Sequence, residues 1–493
     1  MTTKRAAFWH TGALLALLLA LLTGCAMIPR PTQSERAGAD DPAGRCADFF
    51  DSLDRRVVRA RAIDAGAFRV QGFPYLRVDR FLASFRDEVD DAAAFNAWVN
   101  RMQVLDQTAR RHEIANLPDA GTAADRAALC ERVVVCGNLL KGVDFQDESH
   151  RRALRETVTA PDEYIVLRQI LGLYPITRQF LAMGVSRWHA EAHREFSAAP
   201  PTGWQTTRYV PATGDRHVEA RTVGVPAGPD TLGIPDYTAE AREALFQRHA
   251  PVWEVQTQGN DDRIGTPVWI DEATLAVDTG RPVSYTLLSY TRFQGDVLTQ
   301  LNYFVWFPSR PKVHALDIYG GRLDGLNYRV TLDAQGEPVL YETVHHCGCY
   351  YAAYPTRRLA VRKKMAYAEP PLILAAPGIP TGRQRVTVGM QSRTHFVRHL
   401  YASGIAADAD TVAYARSHYD RLRSIDDGQG GRRSMFGRDS LVPGTQRLER
   451  WLFWPTGVLS AGAMRQWGRH AVGFAGRRHF DDPFFMEEMF EPK

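Results

Sequence analysis

The chain has 493 residues, 45% of them hydrophobic, 24% charged and 10% aromatic, with a net charge of +4. That composition is globular and long enough for two or three domains with sizeable cores. The small net charge argues against a dedicated nucleic-acid binder, which needs a strong basic face, and 39 Gly with 28 Pro rule out collagen-like or long disordered polymers.

Six Lys stand beside 54 Arg. Such a skew follows from GC-rich codons, so an Arg cluster alone is weak evidence for an anion site. The densest basic patch, Arg357-Arg358 through Arg362-Lys363-Lys364, reads as a solvated face.

The first 25 residues carry the sharpest signal. Lys4 and Arg5 precede an unbroken apolar run from Ala13 to Leu22. Its length matches the ~7–15 residues of a signal-peptide core and falls short of the ~20 needed to span a bilayer. Leu22-Thr23-Gly24-Cys25 follows, which resembles the lipobox of bacterial lipoproteins. The resemblance implies that Cys25 is diacylated, that the chain is cut before it, and that residues 1–24 are removed. Ala26, being other than Asp, implies the outer membrane of a Gram-negative cell, with the chain facing the periplasm. Cleavage removes Lys4 and Arg5 and leaves +2. Several acyl chains anchor stably, since each buried CH₂ contributes ~0.8 kcal/mol. No later stretch reaches 18 apolar residues.

Residues 25–44 are polar and rich in Pro, Gly and Asp, and read as a lipidated tether. Residues 45–196 read as helical. Leu129, Val133, Cys136 and Leu140 mark one helix face in the segment Ala124–Val143. Ala92–Leu105 and Tyr164–Glu195 have similar patterns, with Pro175 expected to break or kink the last. Residues 197–237 lack periodicity and read as a connector.

Residues 238–493 read as an antiparallel sheet domain with decorating helices. Val283–Phe293 and Val297–Phe307 form a hairpin through Gln294-Gly295-Asp296. Asn327–Leu332 and Val339–His346 flank Asp333-Ala334-Gln335-Gly336, which suits a type I turn. Arg383–Met390 adds a strand. Asp408–Arg423, Arg447–Trp454 and Gly462–Gly476 read as helices, and the acidic-aromatic Asp481–Phe490 is expected to dock on the sheet, or else on a partner. The expected class is α+β.

Six Cys occur, at 25, 46, 130, 136, 347 and 349. Cys130 and Cys136 lie ~9 Å and ~120° apart along a helix, too far to pair with each other. One of them is free to bridge Cys46 instead.

The candidate site is His345-His346-Cys347-Gly348-Cys349. On a strand His345, Cys347 and Cys349 share a face and His346 takes the other. Same-face neighbours are ~6.6 Å apart, and Gly348 supplies the bend that brings the sulfurs together. Imidazole with thiolate suits zinc or copper. His395 and His399, four apart, would present a two-His clip if helical. His189 and His193, near Glu195, read as a solvated helix face. Arg322, Asp324 and Asn327, in Gly320–Asn327, are candidates to line a pocket, against plain turns made by the glycines around them, which is the preferred reading.

Three readings fit the cluster: a zinc or copper site, thiol–disulfide exchange at Cys347/Cys349, and a structural bridge. Nucleophile elbow, phosphate loop, dinucleotide fingerprint, H-E-x-x-H and C-x-x-C-H signatures are all missing. The functional expectation is therefore an outer-membrane lipoprotein that binds metal through His345, His346, Cys347, Cys349, His395 and His399. The alternative is a non-catalytic envelope protein that holds another protein or cell-wall material.

Overall fold

A computed structural model describes residues 41–197, 205–212, 228–363, 365, 369–378, 380, 384–404 and 411–493. The signal segment, Cys25 and the tether up to residue 40 lie outside them. Helix α1 runs Pro42–Arg59, so the last three tether residues are already helical. Pro42 stands in the first turn, where a missing N–H costs nothing.

Helices α2 (Ala92–Ala115) and α3 (Ala123–Asp144) begin at side-chain caps. Asp91 accepts from the amides of Ala93 and Ala94, and Thr122 and Asp125 form a reciprocal capping box. The face read from sequence is the buried one: Val133, Cys136 and Leu140 enter the core and Leu129 packs against it. Cys136 bonds Cys46 on α1, and Cys130 is a free thiol. Helix α4 (Glu148–Thr157) follows. The Tyr164–Glu195 segment divides into α5 (Val166–Leu171) and α6 (Tyr174–Ser197). The break falls at Gly172-Leu173, which leaves Pro175 in the first turn of α6.

Eleven strands then build one curled, mixed sheet. Strand β1 (Thr206–Pro211) arises inside the expected connector. Helix α7 (Ala239–Arg248) leads to β2 (Val252–Gln256). Next comes a meander of β3 (Val283–Phe293), β4 (Asp296–Arg310), β5 (Gly321–Leu332), β6 (Pro338–His345) and β7 (Ala352–Pro355). Strands β8 (Leu372–Ile373), β9 (Gln384–Met390), β10 (Val397–Gly404) and β11 (Thr411–His418) complete it. The spatial order is β8-β7-β6-β5-β4-β3-β11-β1-β2-β9-β10.

Both expected hairpins form. The β3–β4 turn has Gln294 and Gly295 at φ 54° and 87°, the pair of positive values that a type I′ turn demands. Asp333 closes the β5–β6 turn by accepting from the amides of Gln335 and Glu337.

The sheet is not purely antiparallel. Strand β8 runs parallel to β7, β9 to β2, and β11 to both β1 and β3. Part of the expected helix Asp408–Arg423 is thus a central strand, followed by a 3₁₀ turn at Tyr419–Arg423. Gly462–Gly476 is irregular rather than helical. Its amides bond other segments, Arg465 to the His346 carbonyl and Gln466 to that of Ser440, so no local ladder forms.

Curling brings distant strands together. Trp253 on β2 and Tyr328 on β5 have ring centroids 6.2 Å apart, although five strand steps separate them. A flat sheet would hold them ~24 Å apart. One core fills this interior with Leu301, Tyr303, Val305, Tyr328, Tyr341 and Val388. The outer face, with Phe304, Trp306, Leu340 and Val344, lies under the C-terminal segment. That segment ends in α8 (Phe485–Met489), and residues 490–492 pair with 359–361, so the tail docks in cis as expected. Arg362 in the basic patch donates to the carbonyls of Glu487 and Phe490, a clamp on this tail rather than a solvated side chain.

Candidate functional site

Strand alternation decides where each candidate points. Leu326, Tyr328 and Val330 on β5 face the sheet interior, and so does Asp324 at the same end. His345 on β6 follows Tyr341 and Thr343 to that interior. His395 comes from the turn after β9, with φ 53°, and its ring stacks on Phe307 at 3.9 Å and 4°. The two histidines converge on the Asp324 carboxylate. His395 Nδ1 lies 2.8 Å from Asp324 Oδ2, and His345 Nδ1 lies 3.6 Å from Oδ1, beyond a full hydrogen bond. Arg447 Nη2 donates to Oδ1 at 3.3 Å. On its far side His395 Nε2 is 3.5 Å from Asp262, which accepts from the backbone amides of Gln258 and Arg393.

The charges follow from this geometry. Burial alone would raise Asp324, yet Arg447 with the two imidazoles holds it well below the usual carboxylate range. Burial pulls His395 down, but Asp262 and Asp324 on either side raise it above an ordinary histidine. His345 is lowered, because burial outweighs the single carboxylate beside it. Glu449, buried near Arg447 and Arg310, is pushed up to about 7 by burial.

The remaining sequence candidates lie elsewhere. His346 takes the outer face, as expected, between Phe304 and Trp306. Burial lowers it to about 3. Cys347 and Cys349 do not share a face with His345. The strand stops at His345, Gly348 turns the chain at φ 87°, and both sulfurs pack in the outer core with Trp306 and Met464. Both are free thiols; the Cys349 amide donates to Cys347 Sγ at 3.4 Å. His399 is not on a helix with His395: it lies on β10 opposite Gly389. So His345 and His395 meet, while His346, Cys347, Cys349 and His399 stand apart from them. Among the described residues no three His, Cys, Asp or Glu are placed to hold a metal ion. His189 and His193 lie on α6 as read, though His189 is half-buried and burial lowers it to about 4.

Space distinguishes two places. Beside the Asp324 cluster, His345 lines a crevice of about 20 Å³ with Trp188, Tyr350 and Phe396. That is room for one water, not for a substrate. A far larger cleft of about 610 Å³ lies where the helical region meets β3 and β4. Ligand sites favour such junctions and such volumes. Tyr290, Tyr419 and Trp467 give it aromatic walls, and Asn100, Gln300 and Gln466 give it amides. Its carboxylates are Asp79, Asp230, Asp236, Asp420 and Asp481, against two guanidinium groups, Arg101 and Arg423. Burial raises Asp79 to about 6, while Asp420 is held low against its burial by His112 and Arg423. No local motif announces this cleft, because its walls come from positions 66 to 481. Asp324 did lie in a segment singled out by sequence, but Gly320, Gly321 and Gly325 made it read as a turn.

No family model matches the chain, and neither does any curated protein or solved structure.

Proposed function

We propose that the chain is an outer-membrane lipoprotein, anchored through Cys25 and facing the periplasm, that binds a polar ligand in the cleft between its helices and its sheet. The cleft carries this reading, because it combines volume with convergent polar groups. Five carboxylates against two guanidinium groups favour a neutral or cationic ligand. Aromatic walls beside side-chain amides suit one rich in hydroxyl and amide groups, the chemistry of cell-wall glycan.

Calorimetric titration with N-acetylated amino-sugar oligomers and enzymatically released cell-wall fragments tests the ligand. Saturable binding that Ala97→Trp, a residue on the cleft wall, abolishes without loss of Tm supports it. Absence of binding, or binding indifferent to Ala97→Trp, removes it. The anchor is tested apart from this: palmitate should label the wild-type chain and not Cys25→Ala.

A zinc or copper ion at His345 is the second reading. One observation favours it: both ring nitrogens of His345 are buried without a hydrogen-bond partner. Near-stoichiometric metal in the purified protein, lost in His345→Ala, would support it, and metal-free protein would end it.

A further inference from the structure

The face of α5 and α6 turned away from the sheet is apolar and bare. Ile176, Phe180 and Met183 recur at i, i+4 and i+7, and each is more than half exposed. Ile170, Leu171 and Leu173 continue the surface onto α5 at 63–67% exposure. The opposite side of α6 is already occupied, with Trp188, Ala192 and Phe196 packed on the interior core. Trp451 and Leu452 extend the same surface at 67% and 57% exposure. Their segment is fixed beside α5: Gln169 donates to the Thr456 carbonyl at 2.8 Å, and the Ile165 amide to that of Gly457 at 2.9 Å. Exposed apolar surface of this extent marks an interaction site.

Charge identifies the partner. No Asp or Glu occurs from residue 164 to 190, where the chain's average would place about three. Arg187 lies one turn beyond Met183 on the same face, and Arg450 stacks 4.8 Å over the Trp451 ring. Apolar side chains, a rim Trp and cations without acids are what an anionic lipid surface selects. No described helix is long and apolar enough to cross a membrane, so this face would lie on one.

We propose that the α5–α6 face, with Trp451 and Leu452, is a docking surface for anionic phospholipid that lays the protein flat on the bilayer. The proposal rests on the lipoprotein reading for its membrane. Cys25 and Asp41 are 16 residues apart, about 55 Å at full stretch, which keeps the face within reach of the bilayer that holds the acyl chains.

The test uses the mature chain carrying Cys25→Ser, exported behind a cleavable signal so that no acyl group contributes. It should float with vesicles of phosphatidylcholine and phosphatidylglycerol, and less with phosphatidylcholine alone. Ile176→Asp with Phe180→Asp should abolish flotation at unchanged Tm, since both side chains are exposed. Arg187→Gln and Arg450→Gln should each weaken it about fivefold. Failure to bind any vesicle, or binding indifferent to these changes, overturns the proposal. So does a dimer in solution that Phe180→Asp dissociates, because a second copy then covers the face. Palmitate labelling of the full precursor keeps the two readings separable: missing label with intact flotation fails the lipoprotein and leaves the docking surface standing.

Discussion

Asp324 is the most consequential single side chain in the sheet interior. It neutralises Arg447 and orients His395, and all three are buried. Removing one member of such a group strands the others, at a cost of about 3–5 kcal/mol. Asp324→Asn should therefore lower urea-unfolding stability by that order. The same substitution should lower the pKa of His395, read by NMR titration, because one of its two flanking carboxylates is gone. An unchanged His395 would mean that Asp262 alone holds its proton. Glu449 governs a different property. Its carboxyl is raised from 4.5 to about 7 in the folded chain, so folding favours the protonated form. The stability it confers is whole below pH 4.5 and is lost as pH rises towards 7, by a few kcal/mol in all. Glu449→Gln should flatten the stability–pH curve between about pH 5 and 7. A curve of the same slope in that variant assigns the titration to another group, of which Asp79, raised to about 6 in the cleft, is the first to examine.

The Cys46–Cys136 bond ties α1 to α3 across 90 residues. Closing a loop of that length removes about 4–5 kcal/mol of unfolded-chain freedom on the entropic account. Cys136→Ala should lose about 2–5 kcal/mol, and reduction of the wild type should cost the same; a variant as stable as the oxidised protein would show that packing of α1 suffices. This bond also shows what was legible in the sequence. Periodicity placed Cys136 on the buried face of α3 and geometry barred its pairing with Cys130, which left either of the two open to Cys46; burial of Cys136 beside α1 decides between them. The two hairpins and β9 were equally legible, since β-branched and aromatic runs bounded by turn residues are local signals. What escaped was set by distant partners. Thr411–His418 became a strand because β1 and β3 leave a slot between them, and Tyr414 fills the interior there. His395 and His399 were read on a helix, whereas a left-handed residue and a strand put their rings apart. At the candidate site, alternation correctly put His345 and His346 on opposite faces, but it could not show that the strand ends at His345, which turns both cysteines away from it.

At the scale of the molecule, the helical region and the sheet domain read from sequence are joined by buried polar ties rather than by a linker alone. Arg80 donates to the carbonyls of Pro161 and Gly468 and to Asp481. Asp64 accepts from Arg423 at 2.7 Å, and at the surface Arg292 forks onto the half-exposed Glu88 with bonds of 2.7 and 2.6 Å. Tyr164 accepts from the amides of Gly473 and Arg478 and donates back to that segment. The Arg80 and Asp64 ties reach the cleft, whose wall includes Gly468, Asp481 and Arg423, so these contacts also shape the ligand site. Buried charges of this kind are satisfied only when both regions are folded. Thermal unfolding should then be one cooperative transition, with calorimetric and van't Hoff enthalpies equal. Arg80→Ala, which leaves Asp481 and two carbonyls without their donor, should lower Tm and weaken cleft ligands together. Two separate transitions in the wild type would mean that each region is stable alone. The cleft would then be a gap between independent bodies, and Arg80→Ala would change ligand affinity without shifting either midpoint.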